Sequence, residues 1–129
     1  MKCYVSTRFS RLEEAQSVID SLRQLGHTIT FDWTDYPAKK PFSQYPYEAA
    51  ELSRAGIDGV LAADVFILLA HHDGPGVFTE LGAALATYQI QQKPRIYAVA
   101  REIPEATFHF HPHIVWKQSI NEVLAELSR

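Results

Sequence analysis

The chain has 129 residues, 47% of them hydrophobic and 21% charged, with a formal net charge of −3. That is the composition of an ordinary globular protein, and residues 1–129 read as one domain with length enough for a hydrophobic core. The acidic balance argues against a long polyanion such as DNA, which calls for a basic face, but not against a small anion held by a few local donors.

The single cysteine, Cys3, has no partner for an internal disulfide and sits in an apolar run, where it reads as a buried, inert thiol. Arg8, Arg11, Glu13 and Glu14 fall where the apolar stretch of a signal peptide would lie. The longest unbroken apolar run, Val65 to Ala70, is far too short to span a bilayer, so a cytoplasmic protein without membrane contact is expected.

In chain order, "KCYVS" (2–6) reads as a first strand with small polar residues at its carboxyl end. A helix follows, with Leu12, Ala15, Val18, Ile19, Leu22 and Leu25 on one face and Gly26 as its stop. "HTITFDW" (27–33) alternates and is rich in β-branched and aromatic residues, which predicts a second strand. From Thr34 to Pro46 there is no clear period, and Pro37, Pro41 and Pro46 mark a long loop of the kind that carries function. A helix is expected from about Tyr47 to Leu61, interrupted in pattern by Gly56 and Gly59. "DVFILLA" (64–70) has the continuous apolar character of a central strand buried on both faces. After the turn "HHDGPG" come a helix from about Val77 to Gln91, a fourth strand "RIYAVA" (95–100) and a short fifth, "HIVWK". Ser119 is placed to cap a last helix carrying Ile120, Val123, Leu124 and Leu127.

Alternating strands and helices predict an α/β fold: three layers, with a parallel, doubly wound, flavodoxin- or Rossmann-like sheet of about five strands. Ligands in such folds bind beyond the carboxyl ends of the strands. The loops there are "STRFS", "TDYPAKKPFSQYP" and "HHDGPGVFTE", and they hold the unusual chemistry of the chain.

In the third loop, Gly74 and Gly76 flank Pro75 in a sharp bend and Glu80 follows. In the first turn of a helix a carboxylate is stabilised by the macrodipole and free amides, which lowers its pKa. Glu80 therefore reads either as a capping residue or as an ionised nucleophile for an electrophilic sugar carbon, approached closely over Leu81, Gly82, Ala83 and Ala84. Asp73 is a turn residue or a group that orients a sugar hydroxyl or protonates a leaving group. Ser6, Thr7 and Arg8 combine hydroxyls, amides and a guanidinium into a receptor for phosphate or a polar sugar, or form a plain turn with Ser10 as helix cap. No glycine-rich dinucleotide or triphosphate fingerprint is present. Asp64, at the leading end of its strand, reads as structural.

Among six histidines, His109, His111 and His113 alternate in "HFHPH", but Pro112 disrupts regular pairing and no nearby carboxylate completes a shell, so no metal site is expected. A lid or subunit contact with Phe108 and Phe110 packed inward fits better. Trp33, Tyr36, Phe42, Tyr45 and Tyr47, in and around the long loop, could stack on a flat base.

Taken together, the polar end of the first strand, "LGHTITFDWT", "GVLAADVFILLA" and "GVFTELGAALA" resemble the nucleoside 2-deoxyribosyltransferase family, which includes the 2′-deoxynucleoside 5′-phosphate N-hydrolases. The resemblance runs over nearly the whole chain and is most specific from Asp64 to Glu80. It implies that Glu80 attacks the anomeric carbon to give a covalent glycosyl-enzyme, resolved by another base or by water, with no metal or organic cofactor. It matches Ser6, Thr7 and Arg8 to the segment that meets the base, sugar or 5′-phosphate, with Arg8 favouring a phosphorylated nucleoside. It matches Asp73, within a residue, to an acidic or hydroxyl residue of the loop before the nucleophile. Family members commonly form homodimers or larger assemblies. Many carry an aspartate eight positions before the residue matching Asp64, where this chain has Gly56 and, two residues on, Asp58. That departure weighs against base transfer and for hydrolysis, another substrate or no catalysis. The alternatives are a TIR-like NAD-cleaving hydrolase, whose fold uses a glutamate in a comparable place, and a non-catalytic nucleotide-binding module.

Overall fold

The computed structural model describes residues 1–36 and 38–129, so Pro37 of the long loop lies outside the described residues. Five parallel strands form one sheet in the order β2-β1-β3-β4-β5: β1 (Lys2–Ser6), β2 (Thr28–Ile29), β3 (Val65–Leu69), β4 (Arg95–Val99) and β5 (Ile114–Lys117). The helices are α1 (Leu12–Gln24), α2 (Pro46–Ala62), α3 (Pro75–Gln91) and α4 (Ile120–Leu127). α1 packs with α4 and α2 with α3, giving the expected three-layer α/β/α arrangement. Among the described residues no helix is long and apolar enough to cross a membrane.

Every residue of β3 is buried, as its continuous apolar run demands for a strand covered by helices on both faces. Asp64, just before it, accepts the Lys2 amide at 2.9 Å and lies 3.8 Å from Lys93 Nζ, so it ties strand ends at the edge opposite the ligand-binding end. α1 buries Ala15, Val18, Ile19 and Leu22. It ends in a Schellman turn: Gly26, at φ 89°, adopts the left-handed conformation that favours glycine, and the amides of Gly26 and His27 reach the carbonyls of Arg23 and Leu22 at 3.0 Å. Leu25, expected on the buried face, follows the last helical residue and is exposed. In α4 Ser119 and Glu122 form a capping box.

Two further expectations are corrected. The strand predicted over 27–33 pairs only at Thr28–Ile29. Beyond it the Asp32 carboxylate caps the amide of Thr34, starting a short 3-10 turn at Trp33–Asp35. Trp33 Nε1 then donates to the Val5 carbonyl at 2.7 Å, taking the β1 acceptor that a longer β2 would have used. The second correction concerns the segment before β5. Phe108 and Phe110 point outward and are exposed, while His109 between them is buried. A 3-10 turn at Thr107–Phe110 replaces the extended conformation that would have aligned alternate residues.

Candidate functional site

From β1 the chain crosses toward β2, from β3 toward β4, so the two connections diverge above adjacent strands. At the carboxyl ends of β1 and β3 this leaves the crevice where doubly wound sheets bind ligands. A cavity of about 1000 Å³ opens there. Glu80 lines it, together with Tyr4 of β1, Gly56 of α2 and the first turn of α3.

Glu80 is not a first-turn residue. α3 begins at Pro75, whose fixed φ and missing N–H suit the first helical position, with Gly74 as the preceding residue. Its first turn holds no acidic residue, and Glu80 is carried into the second turn, facing the sheet. The dipole-lowered pKa expected for it is thereby replaced by the opposite tendency. Burial raises the Glu80 pKa, because a carboxylate shielded from water disfavours its charge. Two hydroxyls act against that rise: Tyr4 Oη donates to Oε2, and Ser6 Oγ donates to Oε1 at 2.8 Å. Tyr4 and Ser6 are two apart on β1, so strand alternation turns both to the same face. The Tyr4 ring is fully buried and stacks on Phe66 at 5.9 Å, and burial beside Glu80 drives its pKa strongly upward, so it stays a proton donor.

The glycines of α2 make this approach possible. A Cβ on Gly59 would lie 2.9 Å from Phe31 Cβ and 3.0 Å from Tyr4 Cε2, closer than packed atoms come. At Gly56 a Cβ would meet Glu80 Oε2 at 3.2 Å and Tyr4 Oη at 3.5 Å. The position that departs from the resembled family's aspartate thus borders the carboxylate itself.

Of the other residues singled out from the sequence, Thr7 and Arg8 line the cavity and also staple its rim. Thr7 Oγ1 donates to the Leu69 carbonyl and Arg8 Nη1 to the His72 carbonyl, each at 2.8 Å. His72 sits at a left-handed φ of 38° in the loop after β3. Gly74 and Gly76 also line the cavity, and a Cβ at either would meet nothing within 4 Å, so the space above them is open. Trp33 forms part of the wall with Phe9, Phe31 and Phe42, its ring edge-on to Phe9 at 5.4 Å. Lys40 reaches over Phe9 and Phe42 at the same mouth. Ser10 is not a helix cap but part of a 3-10 turn, Phe9–Arg11, leading into α1. Tyr36, Tyr45 and Tyr47 are exposed and off the cavity wall.

Asp73 is drawn away from the cavity. One carboxylate oxygen accepts the His71 amide at 3.1 Å, and the other pairs with His109 Nε2 at 2.7 Å, both side chains being almost wholly buried. His109 in turn lies 5.1 Å from the Phe78 ring of α3, and its carbonyl accepts Trp116 Nε1 at 2.9 Å. Asp73 and His109 therefore fasten the loop before α3 to the segment before β5. Glu80 is the single Asp or Glu among the described residues lining the cavity. His111 and His113 pair ring to ring at 5.2 Å, and no group of three or more metal-ligating side chains occurs among the described residues.

Tyr4, Phe9, Phe31 and Lys40 were not singled out from the sequence. The alternation of "KCYVS" carries a signal for Tyr4, since it places that residue on the face of Ser6; for the others, in irregular segments, there is none. No family model matches the chain, and no curated protein matches it. Among solved structures the chain is similar to a Clostridium botulinum CMP N-glycosidase, BcmB, with a TM-score of 0.62 and 16% identity over 98% of this chain and 97% of that one, a likeness of fold.

Proposed function

We propose that this protein is a nucleotide N-glycosidase that cleaves the bond between base and sugar of a nucleoside 5′-monophosphate, with Glu80 as nucleophile. The observation that carries the proposal is a cavity carboxylate, the single one among the described residues, gripped by Tyr4 and Ser6 at the switch point of the sheet. The fold shared with a CMP N-glycosidase supports the same reading.

In this mechanism a carboxylate oxygen of Glu80 bonds to C1′ as the C1′–N bond breaks, and the base departs with the electron pair and takes a proton from water. Water then attacks C1′ of the glycosyl ester, returning the carboxylate and releasing the sugar phosphate, with its second proton going to solvent. The hydroxyls of Tyr4 and Ser6 hold the nucleophile ionised and oriented. Phe9, Phe31, Trp33 and Phe42 offer faces and edges to a planar base. Arg8 and Lys40, with the first amides of α3 above Gly74 and Gly76, favour a phosphate at the rim. In this role Asp73 acts by holding that rim through His109, not by touching the sugar.

The test is free-base release across nucleosides, their 5′-monophosphates and NAD, with wild-type protein and Glu80→Ala. Release from monophosphates that vanishes in the variant is expected, with a glycosyl adduct on Glu80 trapped by a slow 2-fluoro nucleotide. Nucleotide binding without turnover, indifferent to Glu80, would assign the cavity to a binding module, and cleavage of NAD alone to the TIR-like reading.

A further inference from the structure

Resting on the glycosidase reading, we infer that Gly56 admits the 2′-hydroxyl of a ribose, so that the site selects ribonucleotides over 2′-deoxyribonucleotides. In a β-nucleoside the base stands on one face of the sugar, and a nucleophile that displaces it approaches C1′ from the other. The 2′-hydroxyl of ribose lies on that opposite face, on the neighbouring carbon. It must therefore come down beside the attacking carboxylate, and a site for ribose needs a gap at that place lined by polar atoms. A deoxyribose needs none.

Gly56 supplies such a gap, since it borders the cavity together with Tyr4 and Glu80. Ser6 holds Oε1 and Tyr4 approaches Oε2, while on the α2 side the missing side chain leaves space that a Cβ would enter. Among the described residues outside its own helix turn, this Cβ would meet Glu80 Oε2 and Tyr4 Oη within 4 Å. A hydroxyl in the cavity beside Gly56 can donate to Glu80 Oε2, the type of bond that strengthens as positive charge develops on the sugar. The neighbouring glycine of α2 shows the contrast. Gly59 is required by packing, since its Cβ would strike the Tyr4 ring and Phe31, whereas the tight contact of a Cβ at Gly56 would be with the carboxylate end of Glu80. Glycine is a poor helix former, so at Gly56 an alanine would favour the helix itself. Its absence of a side chain serves the space beside the carboxylate.

The test compares kcat/KM for base release from the four common ribonucleoside 5′-monophosphates and their 2′-deoxy counterparts, using wild-type protein and Gly56→Ala. Wild type is expected to prefer the ribo substrate, and the methyl to lower the ribo-to-deoxy ratio by about tenfold or more. An unchanged ratio, or a wild type that prefers deoxy substrates, overturns the inference. Calorimetric binding of ribose 5-phosphate and 2-deoxyribose 5-phosphate to the same two proteins reads the gap without turnover. Tighter binding of the ribose compound, lost in Gly56→Ala, supports the inference; equal binding overturns it. Failure of every monophosphate to release base would instead defeat the glycosidase reading, and the sugar-phosphate comparison would still decide the role of Gly56. Alanine suits a helix but would press on the Glu80 carboxylate, so circular dichroism of the variant checks that it folds.

Discussion

Tyr4 donates its hydroxyl proton to a carboxylate 76 residues further along the chain, that of Glu80. Burial raises the Glu80 pKa, while this bond and the one from Ser6 lower it by favouring the ionised form. The acid limb of kcat/KM for base release should accordingly lie above the ordinary carboxylate range. Tyr4→Phe and Ser6→Ala each remove a donor to the charged form, so each should move that limb to higher pH. A pH–rate profile measures this; a limb in the ordinary range, unmoved by either change, would contradict the proposed arrangement.

Stability near neutral pH follows from the same burial. A carboxyl group whose folded pKa is raised above its unfolded one supports folding below the unfolded value and loses that support as pH rises through the folded pKa. Above that folded pKa the ionised Glu80 is therefore a burden on the native state. Glu80→Gln should raise Tm by about 3 °C in scanning calorimetry. The same variant should lose base release by about a thousandfold or more. A lowered Tm with activity intact would sink both halves of this expectation.

Asp73→Ala leaves His109 buried with neither ring nitrogen bonded, since Nδ1 already has no partner among the described residues. The loss should be about 3 kcal/mol in denaturant unfolding. Asp73→Asn keeps an acceptor for His109 and separates the two roles considered for this residue. If Asp73 acts only by holding the rim, the Asn variant should keep base release within about tenfold, well short of the hundredfold or more that removal of a general acid brings. A deficit of the larger size would return Asp73 to the reaction.

Two helix glycines should respond in opposite directions to alanine. Gly82 of α3 is exposed, with nothing within 4 Å of the place an added methyl would take, and Gly82→Ala should stabilise by about 0.5–1 kcal/mol. Gly59→Ala gains the same propensity but forces Tyr4 and Phe31 apart, for a net loss of about 1–2 kcal/mol. Because Tyr4 then shifts against Glu80, the Gly59 variant should also lose base release. Equilibrium unfolding of the pair, with a base-release assay, measures both effects.

Local pattern alone was sufficient for the order and type of every main element, for β1 over Lys2–Ser6 and for the Ser119 cap. Apolar periodicity and capping chemistry are properties of neighbouring residues, and a parallel sheet then places the carboxyl-end loops together. For that reason Glu80, Ser6, Thr7, Arg8, Trp33, Gly74 and Gly76 could be singled out from the chain alone. Tertiary structure decided what each of them touches. Whether Glu80 sits in the first or second turn depended on Pro75 starting the helix, and its proton affinity on burial that no local pattern encodes. Whether His109 or its phenylalanine neighbours went inside was settled by a buried carboxylate 36 residues away. Likewise, Tyr4 was one more apolar strand residue, and Gly56 a weak point in a helix, until the close approach of α2 and α3 to β1 put both against the carboxylate. Long-range packing set the chemistry of the site because the charge, the hydroxyl and the empty space that define it come from three different elements.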